Sequence, residues 1–184
     1  ISFVAWGGVG KSALVNKWVH QMTDDNYRGA EKVYAWSFYS QGTGRSVTSA
    51  DMFINNALHW FGDSKMAESK SSPWDKGKRL AELIQQQKTL LILDGLEPSQ
   101  SDDEHDRGKV KDPALSVLLQ QIAMSNAGLC VITTREWLKG ISKGKKTIIQ
   151  KNLEQISPEA GRALLRINGI RGTDAELEQA TRDF

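Results

Sequence analysis

The chain has 184 residues, enough for one domain with part of a second and for a sizeable buried core. Its composition, 39% hydrophobic and 25% charged, is that of an ordinary globular protein, and 24 basic against 22 acidic residues leave a net charge of +2, so no strong field points to nucleic acid or an anionic membrane. The single cysteine, Cys130, excludes an intrachain disulfide and a multi-cysteine zinc site, and no signal peptide or long apolar run is present, so the expectation is a soluble cytoplasmic protein. Ile1 falls inside what reads as the first strand and Phe184 on the apolar face of an unfinished helix, so the chain reads as a fragment of a longer protein.

Residues 1–4 form an apolar strand, residues 5–12 read A-W-G-G-V-G-K-S, and residues 13–22 are amphipathic. Strand, glycine-rich turn, Lys-Ser and helix make a phosphate-binding loop of the pattern G-x-x-x-x-G-K-[ST]. In such a loop the backbone amides of Gly7, Gly8, Val9, Gly10 and Ala13 point inward at phosphates, Lys11 reaches the β- and γ-phosphates, and the Ser12 hydroxyl ligates Mg²⁺. Ala5 replaces the first glycine of the pattern, with Gly7-Gly8 as the compensation.

Leu14, Val15, Trp18, Val19 and Met22 recur at helical spacing and give the first helix one buried face. Residues 32–40, rich in β-branched and aromatic types, read as a strand running into a loop at residues 41–44, with Trp36 and Phe38 as core. Ile54, Ala57, Leu58 and Phe61 mark a second helix ending near Gly62, a polar stretch covers residues 63–72, and Leu80, Leu83 and Ile84 mark a third helix.

Residues 89–94, T-L-L-I-L-D, are the continuous apolar run of a central parallel strand buried on both faces. The acid-rich residues 101–112 read as a solvated loop with a solvated His105, and Asp112-Pro113 opens a fourth helix running to about Gly128. Residues 129–134 (L-C-V-I-T-T) form the next strand, followed at once by Arg135; residues 140–146 are a basic turn, and residues 147–150 a further strand. Ser157-Pro158-Glu159 and the capping box Thr173-Asp174-Ala175-Glu176 open two closing helices, with a stripe of Leu177, Ala180 and Phe184 that nothing else in the chain is left to cover.

Alternating strands and helices imply an α/β fold with a parallel sheet, whose ligands sit beyond the carboxyl ends of the strands. Three groups lie at such ends: the loop, the acids Asp94 and Glu97, and Arg135. Asp94 sits where a Walker B acid holds Mg²⁺ together with Ser12. Glu97 either orients or deprotonates an attacking water or faces solvent beside Pro98. Arg135 either senses a γ-phosphate, distinguishing triphosphate from diphosphate, or forms a surface ion pair with Glu136.

G-G-V-G-K-S, L-L-I-L-D-G-L-E and V-I-T-T-R, in this order, resemble the nucleotide-binding module of the STAND class of signalling NTPases, which includes the NB-ARC and NACHT proteins. T-T-R is similar to the NB-ARC sensor arginine, D-G-L-E to the NACHT form of Walker B, and L-E-Q-I-S-P-E-A to the start of the family's small helical domain. The resemblance implies a P-loop NTPase three-layer αβα sandwich with sheet order 2-3-4-1-5 over residues 1–151 and the beginning of a helical domain over residues 152–184. It further implies an ATP- and ADP-binding switch with slow Mg²⁺-dependent hydrolysis, an ADP-bound resting state, homo-oligomerisation on ATP binding, and flanking sensor and effector domains in immune or cell-death-like signalling. In this reading Asp94, Glu97 and Arg135 are catalytic, and neither membrane nor nucleic acid is a partner.

Two other readings stand beside it: a motor or metabolic P-loop ATPase or kinase, and a hydrolysis-deficient nucleotide-binding scaffold, which the departures at Ala5 and Pro98 keep open. A GTPase is disfavoured, because the only Asn-Lys pair, Asn16-Lys17, lacks the following acid of N-K-x-D.

Overall fold

The structure is a computed structural model that describes residues 1–39, 49–141, 147–153 and 157–182. The loop expected at residues 41–44, most of the basic turn at 140–146 and Phe184 lie outside the described residues. The elements are β1 (Ser2–Val4), α1 (Lys11–Asp24), β2 (Lys32–Ser37), α2 (Ser49–Trp60), α3 (Ser64–Glu68), α4 (Pro73–Gln85), β3 (Thr89–Asp94), α5 (Pro113–Met124), β4 (Leu129–Thr134), β5 (Gln150–Asn152), α6 (Pro158–Ile167) and α7 (Asp174–Arg182). They fall into two compact units, Ile1–Leu153 and Glu154–Phe184.

The first unit is built on one five-stranded sheet in the order β2-β3-β4-β1-β5, with every pairing parallel. This is the sheet order that the family resemblance implied. Side chains alternate across a strand, and β3 shows why its sequence is apolar throughout. Leu91 and Leu93 join a large core with Phe53, Leu58, Leu80, Ile84, Leu115 and Leu118 from α2, α4 and α5, whereas Leu90 and Ile92 face a smaller core with Val15 of α1 and Val131. Burying each such side chain contributes about 1.5–3 kcal/mol, so the central strand is well anchored. Phe38 is buried in the larger core and Trp36 packs partly buried against it, as expected of core residues.

Helices α4 and α5 approach closely at Gly77, where an added Cβ would stand 2.1 Å from the Ala114 carbonyl oxygen and 2.6 Å from Val117 Cγ1. Alanine at this position gains about 1 kcal/mol of helix propensity. The overlap is with backbone and outweighs that gain, since overpacking costs about 1–3 kcal/mol and sometimes more. Gly77→Ala is therefore expected to lower the melting temperature by roughly 3–8 °C in a thermal denaturation followed by circular dichroism, and a variant as stable as the parent would refute the tight crossing.

Three sequence expectations are corrected here. The polar stretch 63–72 contains the short helix α3, which Asp63 caps by accepting from the Met66 amide at 3.0 Å. The last strand of the sheet covers Gln150–Asn152 rather than residues 147–150, because its extent is set by pairing with β1 at Ser2↔Gln150 and Val4↔Asn152. Strand β2 ends at Ser37, the residue paired with Asp94 at the end of β3.

In the second unit, Ser157 Oγ accepts from the Ala160 amide at the start of α6. Thr173 and Glu176 exchange capping bonds at the start of α7, and Arg162 of α6 donates to Glu178 of α7 at 2.9 Å. Leu177 is 3% exposed, so the expectation of an uncovered stripe fails at that residue. Among the described residues, no helix is long and apolar enough to cross a membrane.

Candidate functional site

A parallel sheet places all its strand carboxyl ends along one edge, and the ends of β1, β3 and β4 bring the loop, the two acids and the arginine together. The loop leaves β1 at Ala5, turns through Gly8 and Gly10, both at positive φ, and enters α1 at Lys11. Gly10 adopts the left-handed conformation at the helix N-cap, where only glycine sits without strain. Ala5 is buried, its amide donates to the Thr134 carbonyl at 3.2 Å, and it is not among the non-glycine residues at positive φ. Alanine at the first position of the loop is thus accommodated without backbone strain.

Lys11 lies 8% exposed, its Nζ donating to the carbonyl oxygens of Ala5 at 2.7 Å and Trp6 at 2.9 Å. Burial pushes its ammonium below the usual lysine range, Arg135 pushes the same way, and Glu97 and Asp94 act in the opposite direction. Two neutral carbonyls are weak compensation for a desolvated ammonium; an anion on the loop would supply a better partner.

Ser12 and Asp94 are 82 positions apart, and the Ser12 hydroxyl donates to Asp94 Oδ1 at 2.7 Å. The Thr133 hydroxyl donates to the same oxygen at 2.6 Å and accepts from the Gly95 amide at 2.8 Å. The end of β4 therefore orients the carboxylate that ends β3, next to the head of α1. A hydroxyl and a carboxylate converging in this way form a hard oxygen donor set that suits Mg²⁺. No group of three or more His, Cys, Asp or Glu side chains that could hold a metal is found among the described residues.

Glu97 opens a short 3-10 turn, Glu97–Ser99, in which Pro98 occupies a first-turn position where its missing amide costs nothing. Its side chain does not face solvent, being 15% exposed. Tyr39 OH donates to Glu97 Oε2 at 2.6 Å, Arg135 Nε stands 3.7 Å from Oε1, and Oε1 itself is buried with no hydrogen-bond partner. Arg135 pairs with Glu97 rather than with Glu136, which is 3.8 Å from Arg107. The guanidinium also lies 5.8 Å from the Tyr39 ring centre and against Gly7, where an added Cβ would come 3.2 Å from Cζ. Burial first, and then the Glu97 carboxylate, push the Tyr39 phenol up to about 12, so it stays a proton donor.

Gln100 pins the surroundings of the arginine. It is 2% exposed, donates to the carbonyls of Gly108 at 3.0 Å and Glu136 at 3.3 Å, and accepts from the Thr134 hydroxyl. Residues 101–112 are thereby held to the segment that follows β4.

These groups border an open cleft of about 240 Å³ lined by Gly7, Gly8, Gly10, Lys11, Ser12, Ala13, Tyr39, Thr133 and Arg135. A cleft of the same volume between Ile1, Leu119, Ile122 and Ile149 has no lysine, arginine or carboxylate in its lining. A larger one of about 460 Å³, lined by Glu97, Arg107, Lys111 and Arg135 among others, is charged but lacks the glycine loop, so the loop rather than size marks the site. Of the site residues expected from the sequence, Gly7, Gly8, Gly10, Lys11, Ser12, Ala13 and Arg135 line the cleft, and Val9 does not. Asp94 is joined to it by its bond to Ser12, and Glu97 by its pairing with Arg135 while itself lining a neighbouring cleft. Sequence reading missed Tyr39, Thr133 and Gln100. Thr133 was visible inside T-T-R, whereas Tyr39 was one aromatic residue among several in a strand pattern.

No protein-family model matches this chain, and no curated protein does. A solved structure, a chain of the E. coli MS115-1 HORMA:CdnC:Trip13 complex, is similar at 13% identity, covering 98% of this chain and 57% of that one, with a TM-score of 0.49. The chain thus spans little more than half the length of this neighbour. At that level of likeness the neighbour gives no argument about what this chain binds. No match supports the function expected from the motifs, and the reading as a STAND-type signalling switch is withdrawn.

Proposed function

We propose that the first unit binds a Mg²⁺-nucleoside triphosphate on the loop of residues 5–12 and hydrolyses it. The observation that carries this reading is the 2.7 Å contact between Ser12 and Asp94, which sets the two oxygen donors of a Mg²⁺ site beside a glycine-rich helix N-terminus and a desolvated lysine. The amides of Gly7 to Ala13 and Lys11 bind the phosphates, and Ser12 and Asp94 hold the cation. When bound, Mg²⁺ supplies charge neutralisation across the phosphates.

Arg135 and Glu97 divide the remaining work. Arg135 faces the cleft from the end of β4 and reads the terminal phosphate through charge-assisted hydrogen bonds. Glu97 accepts the proton of the water whose oxygen bonds to the terminal phosphorus as the bridging P–O bond breaks, and returns it to the phosphate released.

The reading is tested by Arg135→Ala. A hydrogen bond to a charged group contributes about 1.5–3 kcal/mol, so affinity for Mg²⁺-ATP measured by isothermal titration should fall about 10- to 100-fold. Affinity for Mg²⁺-ADP should hardly change. Equal losses for both nucleotides would remove Arg135 from the terminal phosphate, and a parent protein that binds neither ATP nor GTP would sink the site as a whole.

A further inference from the structure

We propose that Tyr39 is a positioning residue: its hydroxyl holds Glu97 by one carboxylate oxygen and leaves the other as the acceptor for the attacking water. The inference rests on the hydrolytic reading of the site.

Three independent features support it. The 2.6 Å bond from Tyr39 OH engages Oε2 alone, while Oε1 is buried and lacks any hydrogen-bond partner. A buried carboxylate oxygen without a donor is costly, and once Arg135, which shields it here, turns to the terminal phosphate, a water donating to it satisfies the group. The ring is itself fixed: it lies on Gly95, at positive φ, where an added Cβ would stand 2.1 Å from Tyr39 Cε2. Finally, the Arg135 guanidinium sits over the same ring, 3.7 Å from Oε1, and lines the cleft together with Tyr39. Two geometric constraints on one carboxylate, a bond at Oε2 and a cation beside Oε1, set its rotation.

The phenol suits this role. Its raised ionisation keeps it a donor at neutral pH, so it never competes with Glu97 for the water's proton. Its ring lines the cleft and packs under Arg135, so removing the hydroxyl alone, with the ring kept in place, should leave nucleotide binding intact.

The experiment uses Tyr39→Phe, which keeps the ring on Gly95 and removes only the hydroxyl, alongside Glu97→Gln and the double variant. Nucleotide affinity is read by titration with Mg²⁺-ATP and turnover by phosphate release. The expected result is a fall of about tenfold or more in kcat for Tyr39→Phe with Kd and KM unchanged, and no further fall when it is added to Glu97→Gln. Unchanged kcat, a loss confined to Kd, or full additivity with Glu97→Gln each overturns the role of Tyr39 while leaving the binding site standing. A parent protein that binds ATP but releases no phosphate overturns it too, since there is then no water to position. Failure of the parent protein to bind any nucleotide condemns the underlying reading instead.

Discussion

Replacing Lys11 with alanine is expected to weaken binding of Mg²⁺-ATP by about a hundredfold or more. The ammonium is held 8% exposed between two carbonyl oxygens and is pushed toward its neutral form by burial. Phosphate oxygens arriving on the loop give that charge a partner it otherwise lacks. Truncating one member of a buried charged pair costs about 2–5 kcal/mol, which is tens- to thousands-fold in Kd. The fold should survive, because the Trp6 carbonyl released belongs to a residue 84% exposed, which leaves the buried Ala5 carbonyl as the one acceptor to be rehydrated in the space the lysine vacates. Circular dichroism confirms folding and isothermal titration gives the affinity. Parental affinity in a folded Lys11→Ala variant would show that the loop is not a phosphate site.

Asp94→Asn is expected to abolish the Mg²⁺ dependence of nucleotide binding. The carboxylate accepts from Ser12 and Thr133 at one oxygen and carries the negative charge that a divalent cation needs. Asparagine keeps the shape and one carbonyl acceptor but removes the charge. Titrations with ATP in the presence of Mg²⁺ and of a chelator should differ for the parent and coincide for the variant. Phosphate release should fall by about two orders of magnitude or more, the several kcal/mol that a Lewis-acidic cation contributes. A variant that retains its gain in affinity with Mg²⁺ places the cation elsewhere.

Much of this site was legible in the sequence because each of its parts is local. The loop needs glycines and Lys-Ser within eight positions, and Asp94 and Arg135 each follow an apolar run that can only be a strand end. Strand β3 was equally clear, since burial on both faces demands an unbroken apolar run. The sheet order was not legible from pattern and came only with a family resemblance, while the function attached to that resemblance did not survive. Strand β5 and helix α3 were misread because three and five residues carry too little periodicity; pairing with β1 defines one, and a capping aspartate with the burial of Ala67 defines the other. Tyr39 was beyond reach for another reason: its role depends on Glu97, 58 positions away, and no spacing rule joins them.

Asp94 Oδ1 has one further consequence. Because hydroxyls from α1 and β4 converge on a single oxygen at the tip of β3, Ser12, Asp94 and Thr133 are not free to drift apart in evolution one at a time. Thr133 is the most constrained of the three. Its buried oxygen receives the Gly95 amide while its proton is committed to Asp94, so even valine, its nearest match in shape, would strand both neighbours. The trio should be inherited, or lost, as a set.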